Sequence, residues 1–110
     1  MINIVVKRAK DHSIRFIEAK GHAGSGPYGF DLVCAGVSTI LMGGANALQG
    51  EKEDKECFNI IFKEGYALIE LKQNEEYNDK FLYTLEAMFK MLKTIEESSP
   101  QFVKIMEKDI

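Results

Sequence analysis

The chain has 110 residues, and this length predicts a single domain, residues 1–110, with one hydrophobic core. Its 14 basic and 17 acidic residues give a net charge of −3, and 45% of the residues are hydrophobic, which excludes a disordered tail or a collagen-like repeat. The charges are unevenly distributed. Residues 21–50 contain one charged side chain, Asp31, and eight of the nine glycines.

The N-terminal residues show no secretory signal, because they reach charged side chains by Lys7 without a long apolar run. Residues 32–50 carry no charge, but their four glycines and several polar side chains make a poor membrane span. Two cysteines in an unsecreted chain usually remain thiols. We therefore expect a cytoplasmic protein that does not contact a membrane.

Alternating apolar residues predict two β-hairpins, one on each side of a helix. The first hairpin covers residues 2–7 and 13–20, and the second covers residues 57–62 and 66–72. Residues 21–30 contain four glycines and a proline, a composition typical of a loop. Asp31 then serves as the expected N-cap of a helix that ends near Leu48.

A second helix is expected over residues 75–97, with Asn74 as its N-cap, because apolar residues recur there every three or four positions. These residues are Tyr77, Phe81, Leu85, Met88, Leu92 and Ile95. Residues 101–110 suit a short helix or a docking strand equally. The order β-β-α-β-β-α predicts an α+β two-layer sandwich, in which two hairpins form an antiparallel sheet and both main helices pack on one face.

The first helix has almost no charge around its circumference. A helix without a solvated face must be covered on several sides, and so small a domain cannot provide that cover alone. We therefore expect a homodimer.

Generic motifs in the glycine loop do not predict a nucleotide site. Residues 24–29 spell G-x-G-x-x-G, but Pro27 stiffens the loop and the chain is too short for a doubly wound sheet. Residues 21–24 spell the G-x-x-G of a nucleic-acid clamp. No lysine or arginine lies between Gly21 and Gly50, so we expect no direct nucleic-acid binding.

A metal site is not expected either. The four soft-donor residues are His12, His22, Cys34 and Cys57, and they are spaced too widely for the close ligand pairs of structural zinc sites. We therefore expect neither a metal nor an organic cofactor.

Cys34 and His22 can be interpreted as a nucleophile and its base. With Asp31 as N-cap, Cys34 falls in the first helical turn, where unpaired N–H groups and the helix dipole stabilise a thiolate. The same N–H groups could donate to an oxyanion. His22, in the preceding loop, could take the thiol proton and return it to a leaving amine. Ser38 follows Cys34 by one turn and therefore shares its helix face.

Simpler roles compete with this interpretation. Cys34 could be a small buried apolar side chain, His22 a loop residue held by backbone contacts, and Asp31 a helix cap that does not orient His22. Residue types alone leave both interpretations open. Cys57 is expected to pack in the core, and His12 to be an exposed turn residue.

The region around these residues resembles the ribosomal-processing cysteine protease family, Prp. The resemblance rests on Gly-His-Ala at 21–23, on Tyr28 and Gly29, and on the run Asp31, Val33, Cys34, Ala35, Val37 and Ser38. It implies that His22 is the general base, Cys34 the nucleophile, and Asp31 and Ser38 supporting residues. The implied substrate loop comprises Gly21, Ala23, Gly24, Tyr28 and Gly29.

The resemblance also implies an activity. Members of that family are cytoplasmic homodimeric peptidases that remove an N-terminal extension from large-subunit ribosomal protein twenty-seven. The implied function is therefore a cysteine endopeptidase that cuts this extension after a phenylalanine flanked by basic residues. The alternative is a non-catalytic ribosome-assembly or peptide-binding module that holds the same segment.

Overall fold

A computed structural model describes residues 1–21, 28–50, 55–73, 75 and 77–110, and gives only the backbone of 28–31. Within those residues the chain forms five strands and two helices. In chain order these are β1 (Ile2–Arg8), β2 (Ile14–Lys20), α1 (Tyr28–Leu48), β3 (Phe58–Lys63), β4 (Tyr66–Leu71), α2 (Asp79–Ser98) and β5 (Val103–Asp109).

The strands form one sheet in the order β3-β4-β2-β1-β5. The two predicted hairpins pair antiparallel and join through β2 and β4, which confirms the α+β sandwich. Residues 101–110, which suited helix or strand, contain β5. This strand runs parallel to β1, from Ile2 opposite Val103 to Arg8 opposite Asp109, so the sheet is mixed. Parallel pairing needs a crossover, and α2 lies within the connection that precedes β5.

Both helices pack on the same face of the sheet, as predicted. The buried core combines alternate strand residues with one side of each helix. Its helical members are Val37, Leu41, Ala45 and Leu48 from α1, and Phe81, Leu85, Met88, Phe89 and Leu92 from α2. Ile95 is partly buried against this core, as is Tyr77, which precedes α2. The other face of the sheet carries neither helix.

Both helices begin at residues other than those expected. The cap of α2 is Asn78 and not Asn74, because the Asn78 side chain accepts a hydrogen bond from the backbone N of Phe81 at 2.9 Å. The N-cap prediction for Asp31 is also wrong, since α1 already begins at Tyr28. Proline is tolerated at the start of a helix, so Pro27, which directly precedes Tyr28 in the sequence, does not prevent a helix from starting before Asp31.

Glu96 of α2 holds the outer edge of β5. Its Oε2 accepts from the backbone N of Ile105 at 2.6 Å, and its Oε1 accepts from Lys93 Nζ at 2.8 Å. Burial acts to raise the pKa of Glu96, but these two hydrogen bonds outweigh it and hold that pKa below its ordinary value. Among the described residues β5 is an edge strand of the sheet, and this bond occupies one of its outward backbone donors.

Two glycines of α1 lie close to side chains of α2. A Cβ added to Gly44 would lie 2.2 Å from Met88 Sδ, and one added to Gly36 would lie 3.3 Å from Ile95 Cδ1. Glycine at 44 therefore leaves space that the buried Met88 side chain fills. No helix in the described part of the chain has the length and hydropathy needed to cross a bilayer.

We expect Gly44→Ala to destabilise the protein and the neighbouring Gly43→Ala to stabilise it. Alanine favours a helix over glycine by about 0.8–1 kcal/mol at both positions. At Gly44 the added methyl group displaces Met88, and such overpacking costs about 1–3 kcal/mol. At Gly43 the added Cβ has no atom of the described residues within 4 Å, apart from its neighbours in the helix itself. Urea unfolding followed by circular dichroism gives the free energy of unfolding of each variant. Equal changes in the two variants would contradict the close contact between Gly44 and Met88.

Candidate active site

A pocket of about 340 Å³ opens between α1 and one end of the sheet. The helix contributes Cys34, Val37, Ser38, Leu41 and Met42, which recur at helical spacing. The strands and their ends contribute Ile2, Ala19, Gly21, Phe62, Lys63, Gly65, Tyr66 and Ala67. Most of these side chains are apolar, and Cys34 and Ser38 add polar groups at the wall. Lys63 and Tyr66 lie at the rim, because alternation along their strands turns their side chains to the opposite face of the sheet.

Cys34 lies between the core and the pocket. Val37 and Leu41 are buried against the sheet and fix the rotation of α1 about its axis. In that orientation Cys34 and Ser38, one turn apart, both line the pocket. Cys34 is partly buried and packs against the core, whereas Ser38 is exposed. The expected shared face of these two residues is confirmed.

The start of α1 at Tyr28 changes the surroundings expected for the thiol. Cys34 is the seventh helical residue and lies in the second turn, not the first. In an α-helix each N–H beyond the first four donates to the carbonyl four residues earlier. The dipole effect also falls off within the first turn. The expected place of Cys34 in the first turn is therefore wrong, and the argument from unpaired first-turn N–H groups does not apply to it.

Gly21 forms the edge of the pocket at the end of β2. Its φ is +114°, and its backbone N donates to Gly65 O at 3.1 Å in the turn between β3 and β4. A Cβ at this position would lie 2.2 Å from Met1 O. Glycine is therefore required here both by the backbone conformation and by the close approach of Met1. The chain leaves the sheet at this point, directly before His22.

The structure brings together three of the predicted site residues, namely Gly21, Cys34 and Ser38. Three others, His22, Ala23 and Gly24, lie outside the described residues. The remaining three, Tyr28, Gly29 and Asp31, belong to the first turn of α1, where only the backbone is described.

Sequence reasoning missed the strand side of the pocket. Phe62 and Tyr66 are far from Cys34 in the chain, and no local pattern connects them with it. The helix side did carry a signal, because Leu41 and Met42 follow Cys34 by two turns. That spacing identifies which helical residues share the face of the thiol.

The other soft-donor residues lie elsewhere. Cys57 is partly buried against the core, as expected, and its Sγ lies 3.6 Å from Glu75 Oε2. His12 is exposed in the turn between β1 and β2 with φ 70°, also as expected. Among the residues with described side chains, no three of the His, Cys, Asp and Glu type come close enough together to hold a metal ion.

Comparison with known proteins identifies the family of this chain. The profile of the family described as cysteine protease Prp matches residues 1–104. The ribosomal processing cysteine protease Prp of Bacillus subtilis is 33% identical over 98 residues, which cover 87% of this chain and 88% of that protein. Its counterpart in Staphylococcus aureus is 29% identical over 105 residues, covering 96% and 97% of the two chains.

A solved structure shows the same fold. The ribosomal processing protease Prp from S. aureus, in complex with a substrate peptide, superposes with a TM-score of 0.82 at 27% identity. The match covers 98% of this chain and 100% of that one. Profile, sequence and fold agree along nearly the whole length, and this chain belongs to the cysteine protease Prp family.

Proposed function

We propose that this protein removes the N-terminal extension of large-subunit ribosomal protein twenty-seven, with Cys34 as nucleophile and His22 as general base. The observation that carries the proposal is the place of Cys34 in the wall of a largely apolar pocket. Relatives of this chain are named ribosomal processing cysteine proteases, which supports a ribosomal protein as the substrate and the cytoplasm as the place of action. Cys57 is not among the residues that line this pocket.

In the proposed mechanism, His22 first takes the proton of the Cys34 thiol. The thiolate then attacks the scissile carbonyl carbon, and the carbonyl π electrons move to its oxygen. When the tetrahedral intermediate collapses, the C–N bond breaks and the imidazolium returns its proton to the leaving amine. His22 next deprotonates a water molecule, whose oxygen attacks the thioester carbonyl carbon. The C–S bond then breaks, the acid product leaves, and the imidazolium returns its proton to the Cys34 sulfur. No step requires a metal or an organic cofactor.

The position of Cys34 in the second helical turn makes His22 central to this mechanism. Since the unpaired N–H groups of α1 belong to its first turn, the base must supply most of the thiolate stabilisation. His22 directly follows Gly21, which lines the same pocket as Cys34, and this sequence position supports the pairing.

The supporting roles follow from position along α1. Ser38 lines the pocket one turn after Cys34, so we assign it a hydrogen bond to the bound peptide. Asp31 lies within the first turn rather than before it, so we assign it to orienting His22. The remaining substrate-loop residues of the proposal are Ala23, Gly24, Tyr28 and Gly29.

The walls of the pocket support an aromatic residue beside the cleaved bond. Val37, Leu41 and Phe62 present apolar groups next to Cys34. Apolar pockets with a few polar groups bind apolar side chains and orient them through those groups. A phenylalanine on the acyl side of the scissile bond would place its ring in this pocket.

The exposed side of α1 supports the proposed homodimer. Leu32 is 59% exposed and Met42 is 53% exposed. Between and beyond them the exposed residues are small or uncharged, and they include Ala35, Thr39, Gly43, Asn46 and Ala47. A charge-free helix surface of this kind is suited to burial against a second copy of the chain.

We expect Cys34→Ala to abolish cleavage of the extended ribosomal protein while peptide binding survives. Removing a nucleophile lowers kcat/KM by at least about a thousandfold. The matched control is Cys57→Ser, which should cut at the parent rate because Cys57 is not part of the pocket. Mass spectrometry of the extended ribosomal protein gives both the rate and the cut site. Unchanged cleavage by Cys34→Ala would reject Cys34 as nucleophile, and binding without cleavage by the parent would favour the non-catalytic peptide-binding module.

Gly21→Ala is expected to lower both stability and activity. A non-glycine residue at positive φ costs about 1–3 kcal/mol, and the added Cβ meets the Met1 carbonyl as well. Because Gly21 positions the edge of the pocket, kcat/KM should fall by more than the loss of folded protein explains. The measurements are urea unfolding and peptide cleavage at a temperature where the variant remains folded, with Gly43→Ala as control. Full activity in a destabilised Gly21→Ala variant would contradict the role of this edge.

Gly43→Arg should convert the homodimer to monomers. Outside its own helix, a Cβ at Gly43 meets no described atom within 4 Å, so the monomer accepts the arginine, whereas an interface over α1 would bury its charge. Sedimentation velocity at micromolar concentration measures the mass, and Gly43→Ala should remain dimeric. A monomeric parent, or a dimeric Gly43→Arg variant, would contradict this interface.

A further inference from the structure

The sheet face opposite the helices has a composition unlike the rest of the chain. By strand register and alternation, this face carries five lysines: Lys7, Lys20, Lys63, Lys104 and Lys108. The strands place only two acidic residues on it, Glu18 and Glu70. The strand residues of this face therefore carry a net charge of +3, although the whole chain carries −3. We call it the open face.

Contacts between side chains confirm these orientations. Lys7 Nζ lies 4.2 Å above the ring of Phe16, and Lys63 Nζ lies 5.5 Å from the ring centre of Tyr66. The Tyr66 hydroxyl donates to Glu18 Oε2 at 2.7 Å, and Lys20 Nζ lies 3.9 Å from Glu18 Oε1. The negative charge of Glu18 is thus partly offset by Lys20. The lysines remain the dominant charges of the open face.

Three of the lysines form a row across the sheet. The register pairs Lys63 with Tyr66, Tyr66 with Lys20, Lys20 with Asn3, and Asn3 with Lys104. Successive lysines in this row are two strands apart, a backbone separation of about 10 Å. Lys20 and Lys104 are exposed, and so is Lys63 at the rim of the pocket. Such a row of cations is complementary in charge to an extended polyanion.

We propose that the open face binds single-stranded RNA through its phosphate backbone. Phosphate contacts from lysines supply most of the affinity of such surfaces. Phe16 and Tyr66 lie among the lysines and are partly exposed, with Lys7 and Lys63 over their rings. A base that stacks on either ring takes the place of the lysine ammonium group, which then pairs with a phosphate. Acidic peptides and anionic membranes have the charge but no bases to stack. The open sheet face of a common RNA-binding module works in the same way, through aromatic rings between basic side chains.

This proposal reverses the expectation of no nucleic-acid binding, which rested on the uncharged loop alone. The lysines of the open face come from four strands that are distant in sequence, so no local motif reveals them. The surface is also separate from the exposed side of α1, which belongs to the helix layer. A dimer formed through α1 therefore leaves the open face accessible. The proposal goes beyond the peptidase activity and does not depend on it.

The test compares two charge-reversal variants with the same net charge. Lys20→Glu combined with Lys104→Glu alters the open face, whereas Lys10→Glu combined with Lys90→Glu alters exposed lysines of the β1–β2 turn and α2. The probe is a fluorescein-labelled RNA of mixed sequence and about 20 nucleotides, followed by fluorescence anisotropy at about 50 mM salt. We expect the open-face variant to weaken binding at least about tenfold and the control by less than about threefold. Binding of the parent should weaken as salt rises, with a slope that corresponds to about two to four phosphate contacts.

Several results would overturn the proposal. They are the absence of RNA binding by the parent protein, equal weakening in both variants, and binding of labelled polyglutamate as tight as that of the RNA. A change in subunit number on sedimentation of the open-face variant would instead identify the face as an interface between copies. If the glutamate variants fail to fold, Lys20→Gln combined with Lys104→Gln is compared with Lys10→Gln combined with Lys90→Gln. The open-face variant should again lose more RNA affinity than the control, and equal losses would overturn the proposal.

Discussion

The close contact between α1 and α2 at Gly44 determines where the rest of the site lies. Because residue 44 has no side chain, the buried Met88 fills the space beside the helix backbone, and α1 lies deep against α2 and the sheet. The buried Val37 and Leu41 then set the rotation of the helix. Depth and rotation together place Cys34 in the wall of the pocket. A change in this contact would move the thiol relative to the strand side of the pocket.

The lack of charge in residues 32–50 follows from three different surfaces on one helix. One side of α1 is buried in the core, a second side lines the pocket, and a third is exposed but apolar or weakly polar. A charged side chain on the core side would lower the stability of the fold, and one on the pocket side would interfere with an apolar ligand. Charged side chains are found instead on α2, in the connections and on the sheet, where the strands gather lysines on the face away from the helices.

Much of the fold could be predicted from local pattern, and the exceptions have physical causes. The four hairpin strands were predicted to within one residue of their observed ends, because alternation is a property of each strand alone. Helix starts were less predictable. Asn74 and Asn78 are both good caps, and only the hydrogen bond to Phe81 N distinguishes them. Residues 101–110 had no decisive pattern, since pairing with β1 is what makes them a strand.

The sequence by itself determined the hairpins, the two helices, and the common face of Cys34 and Ser38, because each depends on residues close together in the chain. Only the tertiary structure decided which strand residues complete the pocket, with Phe62 and Tyr66 brought to its strand side from the second hairpin. It also decided that β5 runs parallel to β1, and that lysines from four strands share one face. These features depend on strand order and register, which bring together residues that no local spacing connects.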